Sequence, residues 1–265
     1  MPVTKIQAIR YARHDRKAAE NFLGSDDHAT DMPLDYYVWA IHRDEGPPIV
    51  VDTGFGAEAA ARRGRRILRP VEQGLRDAGI DPAAVEDVIV THMHYDHAGS
   101  FHIFPNATFH IQDAEMAFCT GRAMGDALTR APVDVEPVAD MVRHIFADRV
   151  AFHAGTETIA PGIQVHHACG HTAGLQFVEV ATARGPVILA SDAIHLYANL
   201  VRRIPFTIVI DVDAYLAAMD RIAGMAPLTH IIPGHDPLVL ALFPNEGEGI
   251  ARLDLDPIGS FEGIA

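Results

Sequence analysis

The stretch His92-Met93-His94-Tyr95-Asp96-His97 packs four candidate metal ligands into six residues. It directly follows Val88-Ile89-Val90, an apolar run that reads as a β-strand. A strand that ends in such a cluster delivers several ligands to one place. His92 and His94 are two apart, so they project the same way from extended backbone. Asp96 and His97 follow in the loop and can serve a second point close by. Imidazole nitrogen plus carboxylate oxygen, with no thiolate, is the ligand set of a catalytic transition-metal site, not of a structural cysteine-rich zinc knot. Metal-assisted hydrolysis is the chemistry that this set suits best.

Further candidate ligands sit where other strands should end. Gly170-His171-Thr172 follows Ile163-Gln164-Val165-His166-His167, Asp192 follows Val187-Ile188-Leu189-Ala190, and Gly234-His235 follows Ile231-Ile232. Asp52-Thr53-Gly54 closes Ile49-Val50-Val51 in the same manner. A single Gly-His or a single Asp after a strand is usually a turn former. The joint pattern, nitrogen and oxygen ligands at several strand ends in one chain, carries the information.

The elements that must position these residues are legible in outline. Residues 36–41 and 49–51 read as strands joined by the turn Glu45-Gly46-Pro47-Pro48, a hairpin. Residues 57–78 read as one helix stopped by Gly79, with Arg62, Arg63, Arg65 and Arg66 on a solvated face. Further strands are expected at 88–91, 107–111, 163–167, 176–180, 187–190 and 230–232. Further helices are expected at 113–121, 135–146 and 212–225. The helical stretch 113–146 lies between the first and second ligand groups and is placed to cap a cleft. The tail beyond Asn245 is rich in Gly, Asp and Glu and reads as a loosely held surface segment. Strands, helix, more strands and helix again in each half suit two sheets packed face to face with helices outside. The expectation is a single domain over 1–265, with its metal-binding core at about 36–240 and a tail at about 245–265.

Composition narrows the partners. The chain has 265 residues, 49% of them hydrophobic, and a formal net charge of −14 from 21 Lys and Arg against 35 Asp and Glu. A nucleic-acid partner would want a basic groove, so that partner class is disfavoured. Cys119 and Cys169 are too few to staple a chain of this size, which suits a reduced, cytoplasmic setting. Cys169 reads as a small buried residue, not a nucleophile. No apolar leader follows Met1-Pro2-Val3-Thr4-Lys5, and no apolar run approaches bilayer length, so no membrane partner is expected.

Taken together, His92, His94, Asp96 and His97 match the His-x-His-x-Asp-His signature, and the sequence resembles the metallo-β-lactamase superfamily. The segments around His171, Asp192 and His235 resemble its remaining signatures in order, and Asp52-Thr53-Gly54 resembles its early Asp-Thr-Gly turn. The resemblance implies an α/β fold, a four-layer αββα sandwich with metals at one edge between the sheets. It also implies two divalent metal ions. His92, His94 and His171 resemble the ligands of one, Asp96, His97 and His235 those of the other, and Asp192 the carboxylate shared by both. Asp52 resembles the group that orients a ligand imidazole, a role compatible with capping its own turn. Zinc is the expected ion, and the same ligands would accept manganese, iron or cobalt.

Asp192 in place of a cysteine, and His94 in place of a glutamate, separate the chain from the antibiotic-hydrolysing and di-iron branches. Tyr95, Gln176, Gly234-His235-Asp236-Pro237, Tyr36 and Trp39 resemble the dinuclear-metal lactonases, whose quorum-quenching members open N-acyl homoserine lactones. Two positions depart from that pattern. Leu175 stands where those lactonases usually carry His. His195 stands where they usually carry a catalytic Tyr, with Tyr197 two residues later. The expected activity is therefore opening of a small lactone by a hydroxide bridging the two cations. Asp96 would pass a proton to the leaving alkoxide, Tyr95 would contact the substrate, and His195 or Tyr197 would add a hydrogen bond. A glyoxalase II-like thioesterase or a cyclic-amide or ester hydrolase are the alternatives on this scaffold, and a non-catalytic metal-binding protein is a more distant one. A homodimer is compatible with the sequence.

Overall fold

The structure is a computed structural model that describes residues 3–264. The chain first lays down β1 (Val3–His14), β2 (Leu34–Arg43), β3 (Ile49–Val51), β4 (Arg66–Ile67), β5 (Asp87–Ile89), β6 (Thr108–Gln112) and β7 (Val150–His153). It then forms β8 (Thr156–Ala160), β9 (Ile163–His167), β10 (Gln176–Thr182), β11 (Gly185–Ser191) and β12 (Ile231–Pro233), and ends with β13 (Asn245–Gly247) and β14 (Ile250–Arg252). The larger sheet runs β13-β14-β1-β2-β3-β5-β6-β7, with β4 also paired to β1, and the smaller runs β12-β11-β10-β9-β8. The expected hairpin is present: β2 and β3 pair antiparallel, with Trp39 opposite Val51. From β3 to β7 the larger sheet is parallel, so the carboxyl ends of β3 and β5 open on the same edge.

Both faces of the central strands are buried, which explains their nearly continuous apolar sequence. Tyr37, Trp39, Ile41, Val51 and Ile89 pack against Val165, Val178, Val180 and Leu189 between the sheets. The alternate residues Val38, Ala40, Val50 and Val88 face outward, onto Ala60, Leu75 and Met141 of helices. On the other side, Phe177, Ile188 and Ala190 pack against Tyr215, Met219 and Ile222 of the helix Val212–Met225. The layers are therefore helix, sheet, sheet, helix: a four-layer αββα sandwich. The helices Val135–Phe146 and Val212–Met225 lie where the apolar periodicity placed them.

Three expectations are corrected. The helix expected over 57–78 is two helices, Ala57–Arg63 and Val71–Asp77. Gly64 ends the first in the left-handed region (φ 65°), and β4 intervenes. The N-terminal stretch, where no element was expected, is the long strand β1, which pairs with β2, β4 and β14. The tail beyond Asn245 is not loosely held: β13 and β14 extend the larger sheet, and Ile250, Ala251 and Leu253 are buried. Among the described residues no helix is long and apolar enough to cross a membrane.

Candidate metal centre

The strand ends converge at one edge of the sandwich. His92 and His94 leave β5, and the single turn of helix Tyr95–Ala98 presents Asp96 and His97. His171 comes from the loop between β9 and β10, Asp192 from the end of β11, and His235 from the end of β12. The turn before His171 needs glycine: Gly170 has φ 134°, and a Cβ there would collide with the backbone of Tyr215. Asp52 and Ser191 hold left-handed conformations (φ 64° and 46°) at strand ends beside the cluster.

All the expected ligands are buried. Their donor atoms form two groups, His92, His94, His171 and Asp192 in one, Asp96, His97 and His235 in the other, with the atoms of each within 4.8 Å of one another. Asp192 stands between them. Its Oδ2 lies 3.1 Å from His171 Nε2 and 3.7 Å from His92 Nε2, while its Oδ1 lies 3.1 Å from His97 Nε2 and 3.0 Å from His235 Nε2. Asp96 Oδ2 lies 3.7 Å from His97 Nε2 and 3.8 Å from His235 Nε2.

Outer contacts fix which ring nitrogens face inward. Asp52 Oδ2 accepts from His97 Nδ1–H at 2.7 Å, the Ile208 carbonyl from His171 Nδ1–H at 2.8 Å, and the Asp35 carbonyl from His235 Nδ1–H at 3.1 Å. Each leaves a bare Nε2 lone pair directed at the centre. Asp52 also accepts from the Thr91 amide (2.8 Å) and hydroxyl (2.9 Å), so it orients a ligand ring and holds its own turn at once. Burial, then neighbouring imidazoles, hold His92 well below the ordinary histidine pKa; burial and His171 do the same for His94. For His97 burial acts in the same sense, but Asp192, Asp52 and Asp96 outweigh it and raise the pKa. The fit to cations rests on the donor set and on orphaned atoms: His92 Nε2 and His97 Nε2 are buried yet make no hydrogen bond. Converging imidazoles and two carboxylates, with ring nitrogens directed inward, are the donor set that divalent transition ions take.

The sequence model of the Metallo-beta-lactamase superfamily matches residues 32–235. The chain belongs to that superfamily. Among curated relatives, an N-acyl homoserine lactonase of Bacillus sp is 27% identical over 190 residues, 65% of this chain and 70% of that protein. The N-acyl homoserine lactonase AttM of Azorhizobium caulinodans is 28% identical over 60% of this chain and 61% of its own length, which is under two thirds of the relative. The crystal structure of a quorum-quenching N-acyl homoserine lactone lactonase superposes with a TM-score of 0.74 at 23% identity, covering 89% of this chain and 94% of that one.

Within this superfamily site the remaining expected residues divide. Tyr95 is at the cleft, its hydroxyl 3.2 Å from that of Tyr36 and accepting from Arg65 Nε at 2.9 Å. His195 is also at the centre. Its Nε2 lies 2.9 Å from Asp192 Oδ2, and its ring stacks on Phe206 with centroids 3.6 Å apart. Tyr197 is elsewhere: its ring packs in the core between the sheets against Phe261, and its buried hydroxyl has no hydrogen-bond partner among the described residues. Gln176 is a framework residue. Its Nε2 donates to the carbonyls of Val90 (2.9 Å) and His110 (3.0 Å), tying the smaller sheet to the larger. Leu175 lies in the outer core beneath the helix Val212–Met225. Cys169 is half-buried and belongs to neither ligand group.

Two features escaped sequence reasoning. Glu115, wholly buried on the helix Asp113–Cys119, accepts from the Met93 amide at 2.8 Å, the Thr172 hydroxyl at 2.7 Å and the Gly174 amide at 3.0 Å. It joins the loops carrying His92, His94 and His171. A glutamate in the first turn of an otherwise apolar helix was the available signal, and alone it reads as a dipole effect. The second is the fate of the arginines. Arg62 and Arg66 are exposed, as expected of a solvated face. Arg63 instead lies 4.0 Å over the ring of Tyr95, and Arg65 turns into the cleft. That cleft, about 760 Å³, opens above His94 and His171 between residues 123–132 and 207–210, so part of the stretch expected to cap it does line it.

Proposed function

We propose that this chain is a dinuclear metallohydrolase that opens the ring of a small lactone. The observation that carries the reading is Asp192, whose two oxygens face separate groups of buried, inward-pointing imidazoles. The lactonases among its relatives supply the reaction class. His92, His94 and His171 would hold one ion, Asp96, His97 and His235 the other, with Asp192 shared, and zinc is the ion proposed. Bound there, such ions would supply the Lewis acidity that polarises an ester carbonyl and brings the pKa of water toward neutrality.

The chain's own residues do the rest. Asp52 and the Ile208 and Asp35 carbonyls hold the ligand rings in one orientation, so the centre needs little reorganisation as charge develops. Asp96 is at the cleft wall, where its carboxylate can take a proton from the attacking water and hand it to the leaving alkoxide. His195 plays a different part from the donor the sequence suggested. Tyr215 spends its hydroxyl proton on the Asp192 carbonyl at 2.8 Å, so its oxygen can only accept from His195 Nδ1–H at 3.1 Å. The neutral ring then presents a bare Nε2 to Asp192 and His235, which makes His195 a further ligand or proton acceptor, not a donor.

A panel of lactones of varied ring and tail, thioesters and cyclic amides, read by acid release with a pH indicator on metal-replete enzyme, tests the reading. Lactones should show the highest kcat/KM. Faster thioester or cyclic-amide cleavage would replace lactonase by that activity on the same centre, and a flat panel with metals bound would remove the catalytic reading.

A further inference from the structure

The wall of the cleft carries two guanidiniums, Arg16 and Arg65, that donate no hydrogen bond to a carboxylate among the described residues. Helix Ala57–Arg63 stops at Gly64, and the next residue, Arg65, enters the throat shared by Asp96, Asp192, His195 and His235. Its Nε donates to Tyr95 Oη (2.9 Å), and one terminal nitrogen donates to His14 Nε2 (3.0 Å) and the Arg63 carbonyl (2.6 Å). All these partners are neutral, and its other terminal nitrogen, Nη2, has no hydrogen bond among the described residues. Arg16 lines the same throat, its side chain 13% exposed, its guanidinium 5.0 Å over the ring of Phe206. It is ion-paired with Glu20 at 3.9 Å and its Nη2 donates to the Glu20 carbonyl, while its buried Nε makes no hydrogen bond among the described residues. His14, between the two, is held neutral at neutral pH: burial first, then Arg65 and Arg16, lower its pKa to about 4.

Neighbouring arginines are treated differently. Arg10 has Asp35 at 2.9 Å and Arg63 has Asp134 at 2.7 Å. The acid in the wider cleft, Asp126, is committed to capping: one oxygen accepts from the Leu128 amide at 3.0 Å and the Thr129 amide at 2.9 Å, and the throat's own acids, Asp96 and Asp192, face the imidazoles of His97 and His235. A partly buried guanidinium with no anion in its fork lacks its strongest hydrogen bonds, and a carboxylate or phosphate seated there supplies them. The seat is also close to the reacting position. Tyr95, which accepts from Arg65, has its hydroxyl 3.2 Å from that of Tyr36, and the Tyr36 ring lies edge-on to His235 with centroids 5.1 Å apart. In a chain of net charge −14, a positive focus at this one cleft would also draw anions preferentially to the centre.

We infer that Arg16 and Arg65 form an anion seat beside the metal centre, and that the substrate is a small lactone bearing a carboxylate on or next to its ring. The inference rests on the lactone-opening reading for the reaction, but the seat itself is tested by binding alone. The probes are 2-pyrrolidone-5-carboxylate and its neutral carboxamide, titrated calorimetrically into the metal-loaded enzyme and its Arg65→Met and Arg16→Met variants. The carboxylate should bind about tenfold or more tightly than the carboxamide in the wild type. In either folded variant, with metal content unchanged, the preference should fall toward parity. Equal binding of the two probes by the wild type overturns the inference. So does a preference that survives both variants, because the cations would then be holding the carboxylate. Ring opening of the corresponding lactone pair, 5-oxotetrahydrofuran-2-carboxylate and its carboxamide, is scored separately: if neither opens, the hydrolase reading fails whatever the binding shows.

Discussion

A histidine three residues after the shared aspartate changes what that position can do. In the proposed hydrogen-bond order Asp192 carbonyl, Tyr215 hydroxyl, His195 Nδ1, a lone pair and not a proton would face the centre. His195→Phe should therefore weaken metal binding as well as turnover. Competition with a chelator should show loss on the order of 10–100-fold in affinity, the range for groups that support a metal site. Full metal affinity with turnover lost would return His195 to the donor role. Glu115 acts at one remove. Glu115→Gln puts an amide donor against backbone and hydroxyl donors and should cost about 1–3 kcal/mol of stability by denaturant unfolding. An unchanged unfolding midpoint would show that the two ligand loops do not depend on it. The candidate ligands were legible because type and spacing are local properties of sequence. Glu115, Arg16 and Arg65 were not, because what matters about each is a partner distant in the chain.

At the level of elements, the legible parts were those long enough to show a period or rich enough in branched residues to read as buried strand. The helix Val212–Met225 and the strands β2, β9 and β11 are of that kind. The strands β13 and β14 have three residues each, too few for an alternation to register, and their Gly- and Glu-rich surroundings resemble a loose tail. Gly64 was hidden because a lone glycine inside an Ala- and Arg-rich run is compatible with continuous helix. Its left-handed turn is what swings Arg65 from a solvated face into the cleft. Deleting residues 245–265 strips β14 from β1 and removes the buried Ile250 and Leu253. At about 1.5–3 kcal/mol per large apolar side chain, the loss should be several kcal/mol, read as a lower midpoint in thermal or denaturant unfolding. An unaltered midpoint would mean that the sandwich does not need its outer edge.

For the whole molecule, the arrangement follows from two sheets buried on both faces. Their helices cover the outer faces, so the free ends of the strands are where polar ligands can gather. β5, β9, β11 and β12 all deliver them to one edge. Seven buried side chains of the centre contribute two carboxylates, Asp96 and Asp192, and five imidazoles, and cations there would give partners to the inward-facing Nε2 atoms of His92 and His97. The most direct test is elemental analysis of purified wild-type protein and the Asp192→Asn variant, with activity measured on the same samples. The account predicts two divalent transition ions per wild-type chain, and metal and activity lost together in the variant. Active wild-type protein containing no transition metal, or a variant that keeps both ions, would contradict it.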